Sequence, residues 1–136
     1  MASLDELRQT RVSKLESLKE QNKYPYPARV RKDYANSYVH ENFYSLVTST
    51  THLFLAGRVK ALRLHGGSAF LDLEDNTGEV QVFLQKDRIG EETFKLFETT
   101  TDVGDFIEVG GKMFKTKQDT KTLEVDSFKI IVKALR

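Results

Sequence analysis

Two short runs place an aromatic ring and an amide where a β-strand would expose them. Phe70 lies in the run AFLDLED and Gln81 in the run EVQVFLQ, each between aliphatic residues. Alternate side chains of a strand point to opposite faces, so the aliphatic residues form a core face and Phe70 and Gln81 point away from it. A flat ring can stack on an unpaired nucleic-acid base, and an amide can hydrogen-bond the edge of that base.

Three cations share this outward phase. Arg58 and Lys60 alternate with apolar residues in the long run HLFLAGRVKALRL. The apolar phase then slips by one, which predicts a β-bulge and brings Arg63 to the same face. Such groups donate to base oxygens or phosphates. The apolar positions before the slip are Leu53, Leu55, Val59 and Ala61, and those after it are Leu62 and Leu64.

Each of these residues also has a simpler interpretation. Phe70 could cover a neighbouring side chain or pack under an N-terminal helix, and the cations could be solvated at a sheet edge. The acids Asp72, Glu74 and Asp75 are interpreted as a solvated hairpin end. The convergence of ring, amide and cations on one face favours nucleic-acid binding. The basic run KMFKTKQDTK adds Lys115 and Lys117 as candidate phosphate contacts.

Five strands must position these residues. The spacing predicts a mainly β protein, a five-stranded OB-fold barrel with an N-terminal helix and a helix between strands 3 and 4; another small barrel or an open sheet is the alternative. Residues 1–51 are predicted to be a helical extension and connector, and residues 52–136 the barrel domain. The predicted helices are 3–22, one short helix around 40–46, and 86–100; the predicted strands begin at 52, 68, 79, 104 and 121.

The composition limits the classes of function. The chain has 136 residues and no cysteine, which excludes disulfides and thiolate metal sites. Its net charge of +1 does not by itself indicate a nucleic-acid partner. His40, His52 and His65 lack metal-ligand spacing, and no nucleophile–base set is visible. We expect no metal site, no catalytic residue and no cofactor in this chain, no membrane partner, and a cytoplasmic location.

The order of several segments resembles the N-terminal region of class II lysyl-tRNA synthetase over nearly all of the chain. The run RVSKLESLKEQNKYPYPARV is similar to the leading helix and Tyr-Pro segment of that family. The run AGRVKALRLHGGSAFLDLEDNTGEVQVFL is similar to its first three barrel strands. The runs GDFIEVGGKMFKTK and FKIIVKALR are similar to its fourth strand and the exit into its catalytic domain.

The resemblance implies that the barrel binds the uridine-rich anticodon of lysine tRNA. By position, Phe70 would stack on the central anticodon base, Gln81 would hydrogen-bond that base, and Arg63 and Arg58 would contact the same region. Backbone contacts are expected from Lys60, Lys115 and Lys117 and from Arg11 of the leading helix, with Arg8 and Lys14 beside it. A solvated helix face is the alternative for those helix cations.

One position departs from the family pattern. Lys121 and Thr122 stand where the family more often has glycine and a glutamate that helps to read a flanking base. Discrimination at that base is therefore in doubt, because Thr122 offers only a hydroxyl.

The resemblance also separates this chain from the whole enzyme. The complete enzyme would join lysine to tRNA with ATP and magnesium in a homodimer, but nothing here resembles its catalytic motifs. A general single-strand-binding OB module, the matching domain of an aspartyl- or asparaginyl-tRNA synthetase, and a protein-interaction domain remain open alternatives.

Overall fold

The computed structural model describes residues 30–133, which form a closed five-stranded barrel preceded by two short helices. The strands run β1, β2, β3, β5, β4 around the barrel, and β4 pairs with β1 to close it. All pairs are antiparallel except β3 with β5. This confirms the predicted fold class. The helices are α1 (Asn36–Glu41), α2 (Phe43–Thr48), α3 (Lys86–Ile89) and α4 (Glu91–Thr100); the strands are β1 (His52–His65), β2 (Ser68–Asp75), β3 (Gly78–Gln85), β4 (Phe106–Lys115) and β5 (Lys121–Val132).

Alternating aliphatic residues build the barrel core as the sequence predicts. Ala69, Leu71 and Leu73 of β2 are fully buried, and the aliphatic residues of β3 that face them are 0–1% exposed. The predicted slip in β1 is present as a register shift between Val59 and Ala61. It falls one residue earlier than predicted, so Ala61 lies opposite Asp72 on the outer face and is not a core residue.

The apolar phase fails at two strand ends. The apolar phase of β1 predicts that Leu64 faces the barrel core, but Leu64 is 44% exposed. In β5 the alternation of Phe128, Ile130 and Val132 predicts that Val132 also faces the core, but Val132 is 42% exposed. In β5 a second register shift, opposite Phe106 and Ile107, displaces the phase so that Ile131 is buried instead.

The predicted helix over residues 86–100 is divided in two. Gly90 has a backbone φ of 94°, a conformation that ends α3 before α4 begins. Glycine adopts this conformation at low cost, so one residue breaks an otherwise continuous helical pattern. Phe94 and Phe97 of α4 are buried in the barrel core, and Ile89 of α3 packs against it.

The segment before the barrel is more ordered than the predicted connector. It holds two helices, not one, and Val39, Phe43 and Leu46 from these helices belong to the same buried cluster as the strands. The buried core extends across the predicted domain boundary between residues 51 and 52. That boundary stays a prediction. The predicted helix over 3–22, with Arg8, Arg11 and Lys14, lies outside the described residues.

Asp75 fixes α1 to the turn between β2 and β3. Its carboxylate accepts hydrogen bonds from the backbone N–H groups of Asn36 at 2.9 Å and Thr77 at 2.8 Å, and from Lys32 Nζ at 2.9 Å. Burial raises the pKa of this carboxyl, but the donors from Lys32, Thr77 and Asn36 outweigh burial and hold the pKa well below its usual range. The carboxylate is therefore a structural group and not part of a solvated hairpin end.

Replacing Asp75 by alanine is expected to lower the free energy of unfolding at pH 7 by about 1–3 kcal/mol, because several donors lose their buried acceptor. The folded-state pKa is depressed, so the carboxylate stabilises the fold above the unfolded pKa of about 3.9, and this contribution is lost as the pH falls through the folded pKa. Urea unfolding of both proteins at pH 7 and near pH 2 would check this. If the free energies of unfolding of the two proteins differ by the same amount at pH 7 and near pH 2, the assignment is contradicted.

Candidate nucleic-acid interface

Three phenylalanine rings lie in a row on the outer face of the barrel. Phe70 of β2 is directly opposite Phe83 of β3, with ring centroids 4.7 Å apart and planes at 31°. The ring of Phe114, from β4, lies 6.3 Å from Phe83. All three rings are half-buried. We call these rings, together with Gln81 and Thr122, the aromatic face.

Phe70 shares the outer face of β2 with carboxylates, and its surroundings explain how an aromatic ring is accommodated there. The ring lies outside the core, as the alternation in β2 predicts. It is half-buried because it is tilted against Phe83, whereas the sequence suggested a ring fully exposed to solvent. Directly opposed residues of an antiparallel pair bring their side chains into contact, so each ring covers part of its neighbour. The aromatic face therefore offers a ready-made stacking platform of adjacent rings.

Gln81 lies diagonally across the strand pair from Phe70. Asp72 is its direct partner, so the ring and the amide share one face within about 7–8 Å, the reach of a single base. The amide nitrogen Nε2 donates to Thr122 Oγ1 at 3.0 Å. Thr122 is fully buried, and its hydroxyl donates in turn to the carbonyl oxygen of Thr120 at 3.1 Å.

Arg63 and Arg88 each lie near a carboxylate at the aromatic face. Arg63, opposite Phe70 in the register, approaches Asp72 with a nitrogen–oxygen distance of 3.4 Å. Arg88 of α3 approaches Glu124 at 3.7 Å, beside Phe83. Both contacts are long and solvent-exposed, so they are weak, and either guanidinium can turn to a phosphate at little cost. The structure thus brings Phe70, Gln81 and Arg63 together, as the sequence predicts.

Arg58 and Lys60 occupy a different part of the sheet. Arg58 is opposite Glu74, four residues from Phe70 along β2 or roughly 13 Å, and its guanidinium lies 5.2 Å from the centroid of the Phe106 ring. Lys60 Nζ lies 3.0 Å from Glu79 and 3.2 Å from Glu74, and hydrogen bonds to these two carboxylates raise its pKa. A phosphate at Lys60 would have to compete with both glutamates, so these two contacts stay predictions.

The hairpin between β4 and β5 forms a basic end next to the aromatic face. Lys115 Nζ donates to the hydroxyl of Tyr44 at 2.8 Å, which together with Asp119 raises the pKa of the lysine. Lys121 Nζ lies 6.0 Å from the Tyr44 ring centroid and donates to the carbonyl oxygen of His40. Lys117 is exposed at the tip, and the Tyr44 side chain is 66% exposed.

A family model described as "OB-fold nucleic acid binding domain" matches residues 54–131. The chain belongs to this family of OB-fold domains. The chain is 34% identical to the lysine–tRNA ligase of Thermosipho melanesiensis and 35% identical to that of Carboxydothermus hydrogenoformans. Each comparison covers 98% of this chain but 27% of the ligase, so the chain spans about a quarter of the relatives that it matches. The resemblance drawn from the sequence is confirmed.

Three aromatic residues at or beside the aromatic face were not put forward as site residues from the sequence, although alternation in β3 places Phe83 on the outward side with Phe70. Phe83 follows from the two-residue turn between Asp75 and Gly78, because this turn fixes the register that pairs Phe83 with Phe70. Phe114 and Tyr44 could not be found in this way, since their approach depends on barrel closure and on the packing of α2.

Other kinds of site find no support in the described part of the chain. No three His, Asp or Glu side chains between residues 30 and 133 are grouped so that they could hold a metal ion. Among the same residues, no helix has the length and apolarity needed to cross a membrane.

Proposed function

We propose that this OB-fold domain binds the anticodon loop of lysine tRNA as part of a lysine–tRNA ligase. The observation that carries the proposal is the aromatic face, where ring, amide and guanidinium lie within reach of one unstacked base. Sequence-specific RNA recognition uses this combination of stacking and edge hydrogen bonds on single-stranded loops. The similarity to curated lysine–tRNA ligases supports lysine tRNA as the partner.

The rest of the ligase would supply the chemistry. We propose that the complete protein joins lysine to tRNA with ATP and magnesium, as a homodimer in the cytoplasm. In that protein this chain would contribute recognition and not catalysis. No residue of the aromatic face is a nucleophile paired with a base, which is consistent with a binding role.

Binding should be tested with anticodon stem-loops in which each anticodon base is changed in turn. We expect the uridine-rich lysine anticodon to bind most tightly and a change at the central base to weaken binding most, because that base would contact both Phe70 and Gln81. Fluorescence anisotropy would give the dissociation constants. Equal affinity for uridine-rich and cytidine-rich loops would favour a general single-strand-binding module, which the three adjacent rings could also serve.

Replacing Lys115 and Lys117 by glutamine is expected to weaken RNA binding and reduce its dependence on salt. Each lost phosphate contact should lower the slope of log affinity against log salt by about 0.7 for single-stranded RNA. Titrations from about 50 to 200 mM salt would measure the slope. The matched control is Lys95→Gln, an exposed lysine on α4. An equal slope in the double variant and the control contradicts a role for the basic hairpin.

A further inference from the structure

A short hydrogen-bond relay controls which way the Gln81 amide faces. The backbone carbonyl of Thr120 can only accept, so the single hydroxyl hydrogen of Thr122 is directed to it. The oxygen of that hydroxyl is then left as an acceptor, and it accepts the hydrogen bond from Gln81 Nε2. Thr122 is fully buried, so water does not reach its hydroxyl oxygen to take the place of Gln81.

The relay leaves the Gln81 amide with a defined polarity toward the aromatic face. One hydrogen of Nε2 is directed to Thr122, so Oε1 and the second hydrogen of Nε2 remain for a ligand. Oε1 has no hydrogen-bond partner among residues 30–133. If the amide turned over, Thr122 could bond Oε1 only by turning its hydroxyl hydrogen away from the carbonyl oxygen of Thr120, so the two hydrogen bonds of the relay would be replaced by one.

A fixed amide distinguishes the two pyrimidines. On a uracil stacked on Phe70 by one face, N3–H is a donor and O4 an acceptor, which match Oε1 and the free N–H of the amide. Cytosine in the same position offers an acceptor at N3 and a donor at its amino group, the opposite order. Reading cytosine would require the amide to turn over, which would cost one of the two hydrogen bonds of the relay.

We propose that Thr122 is a positioning residue that makes the aromatic face select uridine over cytidine at the base stacked on Phe70. This proposal rests on the proposed function, because it concerns the same base. Thr122 acts through Gln81 and does not itself contact the base.

The test compares Thr122→Val, which removes the hydroxyl and keeps the shape, with Thr122→Ser, which keeps the hydroxyl. Anisotropy titrations would use anticodon stem-loops with uridine or cytidine at the central position. We expect Thr122→Val to reduce the uridine-to-cytidine affinity ratio about fivefold, the worth of one hydrogen bond, mainly by improved cytidine binding. Thr122→Ser should retain the ratio of the unmodified chain.

Two results would overturn the proposal. One is an unchanged ratio in Thr122→Val, whether or not both affinities fall equally, and the other is an equally reduced ratio in Thr122→Ser, which keeps the hydroxyl. If the proposed function itself fails, Phe70→Ala will also leave binding unchanged, which separates the two failures. Should Thr122→Val not fold, NMR of the unmodified chain decides: the relay requires one Gln81 side-chain N–H to be protected from exchange, and equal, rapid exchange of both overturns it.

Discussion

Replacement of Phe70 by alanine should weaken binding of the lysine anticodon stem-loop by about 1–3 kcal/mol, or roughly 5- to 150-fold in Kd. The ring is half-buried against Phe83 and outside the core, so its removal takes away a stacking partner without opening a large cavity. Anisotropy titration with the stem-loop would measure the change. Thermal unfolding of the same variant should remain cooperative, because the aliphatic residues on either side of Phe70 are untouched.

A matched pair of variants separates stacking from apolar contact at this position. Phe70→Tyr keeps the ring and should bind RNA nearly as well as the unmodified chain, whereas Phe70→Leu keeps apolar volume but loses the flat face. If leucine binds as tightly as tyrosine, the ring does not stack on a base. If even alanine binds RNA normally, the aromatic face serves another purpose, and a protein-interaction surface becomes the better explanation.

The barrel was predictable because its evidence is local and repeated. Strict alternation in β2 and β3 identifies both faces of each strand, and a two-residue turn between them fixes their register. The bulge in β1 was visible as a change of phase, although its position was wrong by one residue. The pattern of apolar residues did not locate the bulge, because Ala61 is small enough to lie on either face of the strand. The same pattern is therefore compatible with a bulge before or after Ala61.

The candidate site was predictable in part, for the same reason. Phe70, Gln81 and Arg63 lie on the same side of neighbouring strands, so period and register bring them together. Arg58 shares that side but lies too far along the strand, a distance that alternation alone does not reveal. The bond from Gln81 to Thr122 joins residues 41 positions apart through the parallel pairing of β3 and β5, which depends on closure of the barrel.

Charge partners were the least predictable feature. Asp75 and Glu74 are one residue apart in an acidic run, yet Asp75 binds the first backbone N–H of α1 while Glu74 contacts Lys60 across the strand pair. Which acid is buried depends on where α1 docks. The sequence indicated no contact between these two segments, so all three acids of the run received the same interpretation.

Replacement of Gly111 by alanine should lower the free energy of unfolding by about 3 kcal/mol or more. A Cβ atom at Gly111 would overlap the carbonyl oxygen of Glu124 and lie 2.7 Å from its carbonyl carbon, and this neighbour is backbone that cannot rotate away. The register of β4 and β5 shifts between Gly110 and Gly111, so this close approach lies at an irregularity of the strand pair. Urea unfolding would measure the loss.

Gly67→Ala is the matched control for this prediction, because its Cβ would meet Lys86 Cβ at 3.6 Å, an ordinary contact. Its effect should stay within about 0.5 kcal/mol, as for most surface substitutions. Similar losses in both variants would mean that the close approach at Gly111 is not what limits the strand pair. If Gly111→Ala is much the more damaging, RNA binding should be lost with it, because the same strand pair holds Phe114 and Thr122 in the aromatic face.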